Sequence, residues 1–142
     1  MHSGYLFIET HPDHPGLIRL GDSRDEPAYP QGEMGARVRY IAKYNDLRVA
    51  HMHVHEVLRH HLVDCDRGLY RVGLGTAMAA IEVGELRHVR KWIDPAIGKS
   101  ECEHMRAEVA QLKAHRHRVE RTWQWVGYVA LGWLCLRLLG II

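Results

Sequence analysis

Two histidines four residues apart, His51 and His55 in the segment DLRVAHMHVHEVL, carry the clearest chemical potential in this sequence. On a helix that spacing puts both imidazoles on one face, where they can share a transition metal or move a proton. Imidazole suits Zn²⁺ or Ni²⁺, and no third ligand stands beside the pair at metal-ligand spacing. Glu56 follows His55 directly, about 100° around a helix, so it cannot complete the set. The competing reading is a pair of partly buried helix histidines satisfied by backbone or solvent. A second candidate is basic: Arg37, Arg39 and Lys43 alternate along RVRYIAKY, share one face of a strand, and can track a phosphate backbone. A solvated strand face accounts for them equally well. Ser3, Cys65 and Cys102 have no His/Asp arrangement at a recognisable spacing, and the GLG at 73–75 lacks the lysine of a phosphate loop.

The elements that must position these residues can be read from the pattern. Gly4 to Glu9 and Leu17 to Gly21 read as two strands joined by the turn-rich HPDHPG, and Arg37 to Tyr44 as a third. Pro27, Pro30, Gly32 and Gly35 exclude a stable helix from 22–35. Asp46 can cap a helix running to about Val63, with Leu47, Val54, Leu58 and Leu62 as its apolar stripe. A short strand at 69–72 and a helix from Thr76 to Trp92, stopped by Asp94-Pro95, close the unit. The expected fold is α+β: a small, mostly antiparallel sheet of three or four strands covered by helices 46–63 and 76–93, then a long C-terminal helix.

Ser100 and Glu103 form a capping-box pattern, after which Met105, Val109, Leu112, Val119, Trp123 and Val126 follow a 4-3 spacing interrupted by Arg116. Self-association through 100–142 is one expectation for this segment. The stretch KAHRHRVER at 113–121 is basic, and Trp125 to Ile142 is an 18-residue run with one charge, Arg137. Such a run is just long enough to cross a hydrocarbon core of about 30 Å, and its near-continuous apolarity favours a membrane anchor over a bundle helix. The sequence divides into a compact unit at 1–98, a basic amphipathic helix at 99–122 and an apolar helix at 123–142.

At 142 residues the chain is one domain with an appendage. Hydrophobic residues at 46% and charged residues at 25% exclude collagen, low-complexity disorder and a polytopic membrane protein. Lys+Arg 19 against Asp+Glu 17, formally +2, neither demands nor forbids a polyanion. Three cysteines without CxxC spacing argue against a disulfide framework and fit a reducing compartment. The start has no basic region followed by a long apolar stretch, so a cytoplasmic domain, anchored by its C-terminal helix, is expected.

The order of motifs resembles the GIY-YIG endonuclease superfamily, above all the branch named after a bacteriophage open reading frame and described as a DNA-binding domain. GYLFI (4–8), GLIRLG (16–21), DLRVAHMHVHEVL (46–58) and LYRVGLGTAMAAI (69–81) carry the resemblance, which spans roughly residues 3–82. It implies DNA as partner and phosphodiester cleavage assisted by one divalent metal, Mg²⁺ or Mn²⁺. By resemblance, Tyr5 or Phe7 occupies the first motif, where Tyr5 would orient or activate water. Arg19 occupies the second motif and would hold phosphate. His51 stands where the family has its metal-binding glutamate, and His55 matches the histidine four residues later. The family's first helix, with its arginine, has no counterpart in the Pro- and Gly-rich stretch 25–35, and Arg24 is the nearest arginine. The expected site is therefore catalytic Tyr5, Arg19 and His55, metal-binding His51 and His55, and DNA-binding Arg19, Arg37, Arg39 and Lys43. The alternative is a catalytically inactive nuclease-fold scaffold whose C-terminal helix mediates anchoring or oligomerisation.

Overall fold

A computed structural model describes residues 2–32, 35–84 and 86–138. The protein is α+β, and its six-stranded antiparallel sheet has the order β4-β5-β2-β1-β3-β6. The strands are β1 (Gly4–Thr10), β2 (Ile18–Ser23), β3 (Arg37–Tyr44), β4 (Leu62–Asp64), β5 (Leu69–Tyr70) and β6 (His88–Ile93). Between them lie α1 (Leu47–Leu58) and α2 (Leu74–Glu82), and α3 (Lys99–Leu138) follows. One compact unit comprises Met1–Val109 and a second Ala110–Ile142. The first unit extends past 98 because Cys102, Met105 and Val109 of α3 pack into its core.

Alternation along the strands sorts side chains onto two faces. The inner face contributes Leu6, Ile8, Leu20, Tyr40, Ala42, Tyr44 and Tyr70 to the main core, where they meet Leu47, Ala50, Val54 and Leu58 of α1 and Ala77, Met78 and Ile81 of α2. The buried α1 residues recur at 3- and 4-residue intervals, so one stripe of the helix is dry. The Asp46 side chain caps its start by accepting from the Val49 N–H at 3.3 Å. The outer face carries a smaller cluster of Phe7, Val38 and Ile41 with Tyr5 and Trp92 packed against it. Part of the 24–32 segment covers it, with the Tyr29 and Trp92 rings 4.9 Å apart.

Three features depart from the sequence expectations. The sheet has six strands, because β4 and β5 pair beyond β2 and because His88–Ile93 is a strand against β3, not the end of a helix. Helix α2 stops at Glu82, where the Tyr44 hydroxyl donates to the Ile81 carbonyl at 2.9 Å and the Tyr40 hydroxyl donates to the Glu82 carboxylate. The β-branched and aromatic residues Val89, Trp92 and Ile93 then favour the pleated edge. Second, the helix from Asp46 ends at Leu58, and Arg59–His61 forms a 3₁₀ turn leading into β4. Third, no helix among the described residues is long and apolar enough to cross a membrane, which overturns the anchor expected of 123–142. Tryptophan, tyrosine, glutamine and glycine interrupt the aliphatic residues of 123–138, and Trp and Tyr prefer interfaces to hydrocarbon. Residues 139–142, which the 18-residue run requires, lie outside the described residues.

Candidate functional site

The cleft that receives the histidines lies where β2 ends against the first turns of α1. Its volume is about 870 Å³, and Asp22, Arg24, Asp46, Arg48, His51 and His55 are among its lining residues. His51 and His55 each follow a buried residue of α1, Ala50 and Val54, so about 100° of rotation carries them to the rim of the dry stripe. Asp22 pairs in register with Leu6, on the inner side of the sheet, and faces the helix.

Each imidazole has one nitrogen committed. His51 Nδ1 lies 3.1 Å from Asp22 Oδ1, and His55 Nδ1 lies 2.7 Å from the Tyr70 hydroxyl. Burial of Tyr70, reinforced by the nearby Cys65 thiol, pushes its phenol pKa above the ordinary value. The phenol stays protonated, and it either donates to His55 Nδ1 or accepts from Nδ1–H, according to the state of the imidazole. An ionised Asp22 only accepts, so His51 donates from Nδ1 and keeps a lone pair on Nε2. Both rings keep Nε2 free of these partners, so His51 can take a proton there while it donates to Asp22, and His55 can pass one on.

The other expected site residues lie elsewhere. In the β1–β2 register Tyr5 faces Ser23, Phe7 faces Gly21 and Glu9 faces Arg19. All of these share the outer face, so the sheet stands between Tyr5 and Arg19 on one side and His51 and His55 on the other. Phe7, not Tyr5, sits across from the glycine of the Arg19-Leu20-Gly21 triplet, and a phenyl ring has no hydroxyl with which to orient water. Arg19 donates to Glu9 Oε2 at 2.9 Å, and that carboxylate is buried. Arg37 does not share a face with Lys43 as strict alternation predicts. Arg39 is an extra residue of β3 opposite the Ile8–Glu9 step, which shifts the β1–β3 register, so that Arg37 stands opposite Thr10 and Val38 joins Phe7 and Ile41. Both arginines converge on the buried Asp94: Arg37 Nε at 2.7 Å and Arg39 at 2.9 Å from Oδ2, with the Ala96 N–H on Oδ1. Burial raises the Asp94 pKa, but the Arg37 bond, the Ala96 N–H and both positive charges outweigh it and hold the carboxyl below its ordinary value. Lys43 lies 5.5 Å from the centre of the Tyr5 ring, a cation–π distance.

The metal expected from the resemblance does not fit these residues. Asp22 is committed to His51, the family's glutamate is replaced by that histidine, and Mg²⁺ or Mn²⁺ requires hard oxygen ligands. Among the described residues no three His, Cys, Asp or Glu side chains come together to hold Zn²⁺ or Ni²⁺ either. Sequence reasoning found the two histidines but missed Asp22, Tyr70, Arg24 as a lining residue, and Arg48. Asp22 directly follows the RLG triplet and Tyr70 lies within a quoted motif, yet no spacing rule links either to α1.

No family model, no curated protein and no solved structure matches this chain. The cleft sets two imidazoles among the cations of Arg24 and Arg48 and the carboxylates of Asp22 and Asp46, a lining suited to acid–base chemistry.

Proposed function

We propose that the compact unit is a GIY-YIG-like DNA-binding domain whose working site is the cleft between β2 and α1, and that His51 and His55 hydrolyse a phosphodiester there without a metal. The observation that carries the reading is the complementary commitment of the two imidazoles, Nδ1 of His51 to a carboxylate and Nδ1 of His55 to a protonated phenol. Arg24 and Arg48 hold the phosphate, His51 Nε2 takes a proton from the attacking water, and His55, as its imidazolium with Nδ1–H on the Tyr70 oxygen, delivers a proton from Nε2 to the departing oxygen and is left neutral. Arg19 has no part in this site, since Glu9 neutralises it on the other face of the sheet.

The test is retardation and nicking of supercoiled plasmid by the full chain, in chelator and in Mg²⁺, Mn²⁺ or Zn²⁺. Nicking is expected to persist in chelator, to fall at least 100-fold in His51→Ala, and to be unaffected by Arg19→Ala. Retardation is expected to weaken in Arg24→Ala/Arg48→Ala. Retardation without nicking would retain the DNA-binding domain and discard the hydrolytic step. Retardation that ignores Arg24 and Arg48 would discard the cleft.

A further inference from the structure

The 4-3 spacing of α3 marks one row of apolar residues, covered at its start and bare beyond, with Trp125, Tyr128 and Leu131 exposed off the row. Met105 is 4% exposed and packs with Val109 into the core of the compact unit. The same spacing runs on through Leu112, is interrupted at Arg116, and resumes through Val119, Trp123, Val126, Ala130 and Trp133. There Trp123 is 70% exposed, Val126 52% and Trp133 54%, and Ala130 is exposed as well. An apolar repeat every 3.5 residues matches the seam of a left-handed two-helix coil, whose natural complement is another seam of the same period.

We infer that residues 112–133 of α3 pair with the same seam of a second copy, making the protein a homodimer through a coiled coil. The available area agrees. Tryptophans of this exposure offer on the order of 100–150 Å² each. With the smaller seam residues and the flanking Val129 and Leu134, 67% and 49% exposed, roughly 600–700 Å² per copy can be buried, near the ~800 Å² per partner of a stable interface. Charge sets the salt response. Residues 110–142 carry five Lys+Arg against one Glu, so paired helices repel and added salt strengthens their association.

Sedimentation equilibrium of the full chain tests the inference. The wild type is expected as a dimer whose dissociation constant falls several-fold between 0.05 and 0.5 M salt. Val126→Glu/Ala130→Glu is expected to be monomeric, with the near-UV circular dichroism of the compact unit retained, since glutamate is a good helix former. Tyr128→Glu, on the opposite side of the helix, is expected to remain dimeric. A monomeric wild type would overturn the inference. So would equal loss of association in the seam and off-seam variants, which would identify unspecific apolar contact, or association with lipid vesicles in place of a second copy.

Discussion

Removing one hydroxyl group measures how the end of α2 is fastened to the sheet. Tyr40 is fully buried on β3, and its hydroxyl donates to Glu82 Oε1, the same oxygen that Arg90 Nε approaches to 2.8 Å. Burial, then the bond to Glu82, push the Tyr40 pKa upward, so the phenol is a donor at every working pH. Burial raises the Glu82 pKa, but the bonds from Tyr40 and Arg90 and the charges of Arg90 and His88 bring it below the ordinary carboxylate value. Tyr40→Phe keeps the ring and opens almost no cavity, so its cost is that of one hydrogen bond to a charged acceptor, 1.5–3 kcal/mol. Because the Arg90 contacts remain, the expected loss is about 2 kcal/mol, or a fall in Tm of about 8 °C for a unit of this size. Urea unfolding followed by near-UV circular dichroism at pH 7 reads it, with an unchanged m value. The pH dependence has a definite sign. A carboxylate whose folded pKa is depressed contributes stability above its unfolded pKa of about 4.3 and loses it as pH falls through the lower folded value. The gap between wild type and Tyr40→Phe is therefore full at pH 6–7 and narrows below pH ~4. A loss under ~0.5 kcal/mol at pH 7, or a loss as large in acid as at neutrality, refutes the latch.

Three other perturbations follow from described contacts. A Cβ at Gly21 would stand 2.5 Å from the Phe7 ring, so Gly21→Ala is expected to cost about 2 kcal/mol in urea unfolding, and less in a Phe7→Leu background. Asp94→Asn leaves the Arg37 and Arg39 guanidinium groups without their shared buried anion and is expected to lower Tm by on the order of 10 °C at pH 7. Since the Asp94 pKa is held low, that difference shrinks as pH falls below the ordinary carboxylate range, and an unchanged difference at pH 2–3 would count against the ion cluster. Glu101 Oε2 accepts from the Gly75 N–H at 3.2 Å at the start of α2, so Glu101→Ala is expected to cost 0.5–1 kcal/mol and to speed amide exchange at Gly75.

Strand β3 was legible to its boundaries, because RVRYIAKY combines β-formers with alternation, and the Asp46 cap located the start of α1. The segment 76–93 was not, since helix formers up to Glu82 run without a proline into HVRKWI, whose charges read as a helix surface until Tyr40 and Tyr44 are known to stop α2. The histidine pair was visible as a spacing, a local property of one helix. Its partners were not: Asp22 and Tyr70 reach it through the packing of α1 on the sheet. The extra residue of β3 at Arg39 was equally hidden, and it turns Arg37 away from the face of Lys43.

The placement of β1 inside the sheet also fixes where the fold can open. Strands β2 and β3 flank it on both sides, so exposing its amides means separating the whole meander, and those of Leu6 and Ile8 should exchange with solvent only through global unfolding. Strand β6 has a neighbour on one side only, and its outward edge presents backbone groups beside Lys91 and Val89. Breathing therefore begins at the edge strands, β4 on one side of the sheet and β6 on the other. The Arg90 contact with Glu82 is loosened at β6 before the core is, while the charged side chains discourage a foreign strand from adding to the edge in its place.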